Sequence, residues 1–217
     1  MPFKKESVLK LPKPQFEGKV SVEEALRRRR TVRSFSSREF GLAVVSQLLW
    51  ALQGTTYVEN LSEEKKAFHK AAPSAGGSYP LEVYVAFSKG LHRYEVKEHV
   101  LRLVSEEDVR EKLSEAAMTP LNREAVKTAP LTVVLAVDNL RALKATPLME
   151  NVVRFVHLEA GHATQNLILQ AASLGLGVCT ITSYHIAKVY EVLKLPLDQR
   201  PIYLLPIGFP KEESDKA

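Results

Sequence analysis

The sequence predicts an α+β fold: a mixed or antiparallel sheet flanked by helices, with one long helix at its centre. Three observations carry this. Apolar residues keep helical spacing through several segments, the longest running from about residue 147 to 174 without an interior proline. Alternating or continuously apolar runs at 81–87, 131–137 and 201–207 read as strands, and LHRYEV with HVLRLV around Lys97 and Glu98 reads as a hairpin. Helices and strands alternate too irregularly for a βαβ series.

Composition sets the outer limits. A chain of 217 residues, 45% hydrophobic and 25% charged, is long enough for one sizeable core. The net charge of +5 is modest and gathers in Arg27, Arg28, Arg29, Arg30 and Arg33 and in the lysine-rich start. That pattern favours a local anion site or a solvated tail over a surface-wide nucleic-acid footprint. Cys179 is the single cysteine, which excludes an internal disulfide and a multi-cysteine metal site. With no apolar leader-like or membrane-spanning run, the chain reads as cytoplasmic.

Residues 1–20 are polar and proline-punctuated, an extended arm on the surface or on a partner subunit. Residues 21–210 form one domain, and 211–217 a tail. Ser21 with Glu24 makes a capping box that starts a helix, whose last turn takes Arg27 to Arg30 at the negative end of its dipole. Leu42, Val45, Leu48, Leu49 and Leu52 define a core helix capped at Gly54. The segment from 55 to 70 is expected to hold a short helix. Leu81, Val83, Val85 and Phe87 alternate as in a half-buried strand. Ser105 and Asp108 are expected to cap a helix through about Met118, followed by a helical piece at Glu124 and Ala125.

The helix at 147–174 would extend roughly 40 Å at 1.5 Å per residue, which suits a dimer interface. Gly161 in its middle is tolerable where another backbone packs closely. Gly175 and Gly177 end it, 178–182 form a short strand, 185–195 a helix, and the last strand ends at Gly208.

Common catalytic signatures are missing: no dinucleotide fingerprint, P-loop, nucleophile elbow or zincin motif occurs. His157 and His162 are five apart and fall on different helix faces, so they read as surface or interface residues. Cys179 sits in an apolar strand and reads as inert core. What remains is an arginine cluster and a small-residue loop. Arg29, Arg30, Thr31 and Arg33 are able to wrap a phosphate, although such a run also makes an ordinary solvated face. Pro73, Ser74, Ala75, Gly76 and Gly77 are suited to close backbone approach to a flat or anionic ligand, or equally to a plain turn before a strand. No side chain stands out as nucleophile or base, which fits chemistry done by a bound cofactor.

Four stretches carry a family resemblance. SVEEALRRRRTVRSF, with Arg29, Arg30, Thr31 and Arg33 as its core, resembles the N-terminal signature of the FMN-dependent nitroreductase superfamily. APSAGGSYPLEVYV is similar to the loop and strand of its branch of SagB-type azoline dehydrogenases. EAGHATQNLILQAASLGLGVCTI resembles the central dimer helix and following strand, and IYLLPIGFP the final strand. The stretches stand in family order and span roughly residues 21–210.

The resemblance implies an intertwined homodimer with two interfacial FMN sites. Arg29, Thr31 and Arg33 would hold the phosphate with Arg30 beside them, and Pro73 to Gly77 of the other subunit would line the ring. Thr180, Ile181, Thr182 and Ser183 would present backbone groups to the flavin. Implied with them is hydride transfer from NAD(P)H through flavin N5 to a small acceptor, such as a nitro compound or quinone, by a ping-pong route. No protein side chain is expected to be catalytic and no metal to be bound. The alternatives are azoline oxidation in a modified peptide and, from another class, a basic nucleic-acid-binding module.

The chain departs from the family pattern in three places. Only Lys211 and Lys216 follow the last strand as basic residues, Thr182-Ser183-Tyr184 replaces the usual glycine or acidic residue, and Ser78 stands where the azoline branch is bulkier.

Overall fold

The computed structural model describes residues 7–64, 66–146 and 148–211. Strand β1 (Val8–Lys10) opens it, so part of the expected surface arm is a sheet edge. Helix α1 (Val22–Arg28) begins where Ser21 Oγ accepts from Glu24 N at 3.2 Å, one half of the expected capping box; the Glu24 carboxylate turns to Arg27 and Arg28 instead of Ser21 N. It stops at Arg28, so Arg29 and Arg30 lie outside the expected last turn. Tertiary pairing decides this: Arg29 takes ψ 132°, Val32 N donates to Val178 O at 3.1 Å, and Thr31 bridges Val178 in parallel.

Helix α2 (Leu42–Gln53) buries Val45, Leu48, Leu49 and Leu52 and ends at Gly54. Strands β2 (Thr55–Asn60) and β3 (Lys66–Lys70) then form a separate two-stranded sheet, where a short helix was expected. Cross-strand partners decide the matter, with Tyr57 opposite His69 and Val58 opposite Phe68.

Strand β4 (Leu81–Phe87), the hairpin β5 (Gly90–Glu95) and β6 (Val100–Ser105), and β7 (Leu131–Asp138) build the main sheet. Helix α3 (Arg110–Ser114) is shorter than the expected helix and starts from Val109 without a side-chain cap. Ser105 and Asp108 are otherwise employed: Ser105 Oγ accepts from Glu107 N, and Asp108 folds back on Arg110. Thr119 caps α4 (Pro120–Thr128), and Asp138 caps the single turn α5 (Asn139–Ala142).

Helix α6 (Met149–Ser173) is the expected long helix. Strand β8 (Gly177–Val178) is shorter than predicted, and beyond it Ile181 bridges Leu204 and Tyr184 bridges Ala117 as isolated pairs. Helix α7 (Ile186–Leu193) and strand β9 (Gln199–Gly208) close the fold.

The seven strands run β1-β6-β5-β4-β7-β9-β8, each antiparallel to its neighbours. β4 is buried on both faces rather than half-buried: Leu81, Val83, Val85 and Phe87 join the core under α2 and α6, while Tyr84 and Ala86 join the core under α3, α4 and α7. α6 packs Val152, Val156, Ala160, Ala163, Leu167 and Ala171 inward and leaves Val153 and Leu158 51% and 54% exposed. At Gly161 a Cβ would meet nothing within 4 Å, so no close backbone neighbour stands there within the chain. Among the described residues no helix is long and apolar enough to cross a membrane.

Gly177 locks the arginine segment to this frame. A Cβ there would lie 2.3 Å from Val32 Cγ2. Gly177→Ala is expected to cost roughly 1–3 kcal/mol of stability by overpacking, read as a lower urea midpoint at unchanged slope.

Candidate active site

The five arginines are not equivalent. Arg27 and Arg28 both bind the Glu24 carboxylate, Arg27 through Nη2 at 2.7 Å, and together they hold that carboxyl down to about 2. Arg29, Arg30 and Arg33 form no ion pair with any described residue. Arg30 reaches only the carbonyls of Arg27 and Arg29, both at 2.8 Å. Three guanidinium groups within five residues are therefore left for an external anion. Arg33 also lies by Cys179, whose thiol burial pushes up, against any nucleophilic role.

The bridge from Thr31 to Val178 places this segment beside the 180–183 loop. Ile181 and Leu204 exchange both backbone hydrogen bonds, at 2.9 and 3.0 Å, and Ser183 O accepts from Met118 N at 3.1 Å. Between these pins Thr180, Thr182 and Ser183 are exposed, and no described residue accepts from their amides. The loop thus offers rigidly held donors.

The small-residue loop lies elsewhere. Ala75 to Gly77 make one 3-10 turn with Gly76 at φ 60° and Gly77 at φ 62°. Ser74 Oγ accepts from Tyr79 N at 2.9 Å and fixes the exit of the turn. A Cβ at Gly77 would meet nothing within 4 Å, so its backbone faces open space, while Gly76 lies over Ala145. Pro73 and Gly77 are exposed, Ser74 and Ala75 half-buried. In a single chain this loop does not meet the arginines. It enters β4 at Leu81, whereas the Thr31 bridge sits beyond Ile207, in register with Leu131 and Phe87 at the far end of that strand. Six residue steps of strand separate the two ends by roughly 20 Å.

A charged cluster behind the loop escaped the sequence reading. Glu159 of α6 is 3% exposed, and burial pushes its carboxyl up, opposed by Ser74, Lys70 and Gln53; its Oε1 has no hydrogen-bond partner among the described residues. Arg141 binds Glu82 and Asp138, and Asn166 Nδ2 donates to Ala71 O at 3.1 Å. Glu159 carried a signal: it is an acid within the apolar stripe between Val156 and Ala163. Among the described residues no group of three or more His, Cys, Asp or Glu side chains is placed to hold a metal. His157 and His162 are exposed.

The nitroreductase family model matches residues 26–209. MJ1384 of Methanocaldococcus jannaschii, which carries a provisional nitroreductase name, is 31% identical over 195 residues, covering 87% of this chain and 91% of its own. A crystal structure from Ralstonia eutropha JMP134, also provisionally called a nitroreductase, superposes with TM-score 0.79 at 27% identity over 95% of this chain and 90% of that one. An FMN-dependent nitroreductase from Clostridium difficile R20291 shares the fold at TM-score 0.58 and 21% identity, with 88% of each chain covered.

Glu159 supplies a pH test. Its raised pKa means the folded state holds the proton above 4.5, where the unfolded chain releases it, so this group's stabilisation is full below 4.5 and is lost as pH rises through its folded value. Glu159→Gln keeps the shape without the charge. Its melting temperature relative to the parent is expected to be more favourable at neutral pH than near pH 4, and a difference independent of pH would rule the account out.

Proposed function

The chain belongs to the nitroreductase family and is an oxidoreductase of the flavin type, and from that premise we propose that it is an FMN-dependent enzyme that takes hydride from NAD(P)H and reduces a small acceptor such as a nitro compound or quinone. The observation that carries the FMN assignment is the division of the arginines: two are spent on Glu24, and three remain beside a loop of unspent amides. Bound FMN would supply the hydride-accepting ring and the two-step electron transfer.

The chain's own groups do the rest. Arg29 and Arg33, with the Thr31 hydroxyl and Arg30 beside them, bind the phosphate dianion, where forked guanidinium donors suit its oxygens. The amides of the 180–183 loop face the pyrimidine edge, where negative charge gathers on reduction. The glycine loop supplies a flat wall, since Gly77 presents no Cβ to the open side. The roughly 20 Å between the two halves within one chain supports a homodimer, each site taking arginines from one protomer and residues 73–77 from the other. The exposed Val153 and Leu158 on α6 support that helix as the contact face. Oxidation of azoline rings in a modified peptide would use the same site, and no specific observation favours it.

Arg33→Ala is expected to weaken FMN binding by about 1.5–3 kcal/mol, a loss of roughly tenfold or more, measured by flavin fluorescence during dialysis. Arg27→Ala should leave retention close to the parent's. Equal retention in all three proteins would remove Arg33 from the site, and purified protein that stays colourless with added FMN would refute the flavin assignment. Leu158→Asp should shift the chain to monomer in analytical ultracentrifugation and release flavin with it; a dimer that persists would exclude this face.

A further inference from the structure

We propose that the cavity between the β2–β3 hairpin and strands β4 and β5 binds an aromatic carboxylate, with Lys70 as the cation that recognises it. The proposal names an acceptor class for the flavin site and rests on that reading for its part in turnover, while the binding stands without it. The cavity holds about 640 Å³, within the range of small-molecule sites. Phe68, Tyr79 and Tyr94 line it with rings, and Gly77 and Ser78 join it to the glycine loop. A ligand there lies against the same loop that walls the flavin site.

Charge and hydrogen bonding select the ligand. Arg141 also lines the cavity, but Glu82 and Asp138 both hold it. Lys66 and Lys97 are exposed, and Lys97 Nζ sits 4.9 Å over the Phe68 ring. Glu95 and Glu98 are held by Arg93 and Arg102, and His69 by Glu59. Lys70 is different. It is half-buried, its Nζ lies 4.7 Å over the Tyr79 ring, and it makes no ion pair with a described residue. Burial and Arg141 lower it to about 8 against the pull of Glu159 and Glu82, so an incoming anion would supply the partner that the fold withholds. Thr55 also lines the cavity, but its Oγ1 is closed off from solvent and offers a ligand nothing. One half-buried cation without an ion pair to a described residue, set among three rings, matches a single carboxylate on an aromatic body better than a phosphate dianion; Lys66 and Lys97 stand in solvent.

The test is calorimetric titration of the full chain with para-nitrobenzoate and with para-nitrobenzamide, its uncharged counterpart. Near pH 7 the carboxylate is expected to bind about tenfold more tightly. Lys70→Met should abolish that preference and Lys70→Arg restore it. In the parent, the preference should fade as pH rises past about 8, where Lys70 loses its proton. Equal affinity of the parent for both probes overturns the proposal without needing a variant, and so does a preference that survives in folded Lys70→Met. Flavin absorbance recorded on the same samples separates the two readings: yellow protein blind to charge sinks only this site, and colourless protein that prefers the carboxylate sinks only the flavin.

Discussion

The rest of the structure depends on the burial of β4, β7 and β9 from both faces. Two helical layers cover these strands, so alternate side chains enter different cores, and a slip of one residue would send each set to the wrong side. Register is thereby fixed along the whole length of β4. That rigidity sets the separation between what the chain places at one end of the strand, the glycine turn, and at the other, the arginine segment pinned on Val178. A strand cannot be shortened by a loop adjustment. On the reading proposed above, one ligand takes its two contacts from two copies of the chain, and the length of β4 is the physical reason for proposing a homodimer.

Charge pairing refines what position alone leaves coarse. Five arginines within seven residues look interchangeable in sequence, but helix α1 brings Arg27 and Arg28 back over Glu24, three and four residues earlier, and neutralises their share of the patch. Past Arg28 the chain leaves helical geometry, so the next three arginines lose access to that carboxylate. The helix end thus divides structural from available charge. The smaller basic patch that remains also weakens a nucleic-acid reading, which needs cations spread along a surface.

Much of this was legible in the sequence. The Ser21 cap, the α2 core face, the long α6 and the β5–β6 hairpin all follow from periodicity or capping chemistry, which are local. The misses have non-local causes. The β2–β3 hairpin forms because Tyr57 and Phe68 find partners ten or more residues away, and no helical or strand period within 55–70 announces that. The β8 strand breaks after Val178 because Ile181 turns to Leu204. In the site, the arginines and small residues were visible as composition, but Lys70 was not, since its lack of an ion pair depends on Arg141 taking Glu82. A lysine in an amphipathic strand reads the same whether its partners are free or taken.

The cluster behind the glycine turn joins two oppositely charged groups that do not pair. Glu159 and Lys70 lie close enough to feel one another without forming an ion pair, and burial moves each toward its neutral form. A contact ion pair between them would pin both side chains and close the space in front of the turn. Held apart, they leave a cation facing the cavity and an acid facing Ser74, whose hydroxyl fixes the turn through Tyr79 N. The desolvation cost is borne by a core large enough to absorb it. The turn keeps its shape, and Lys70 stays over the Tyr79 ring without a contact ion pair to a described residue.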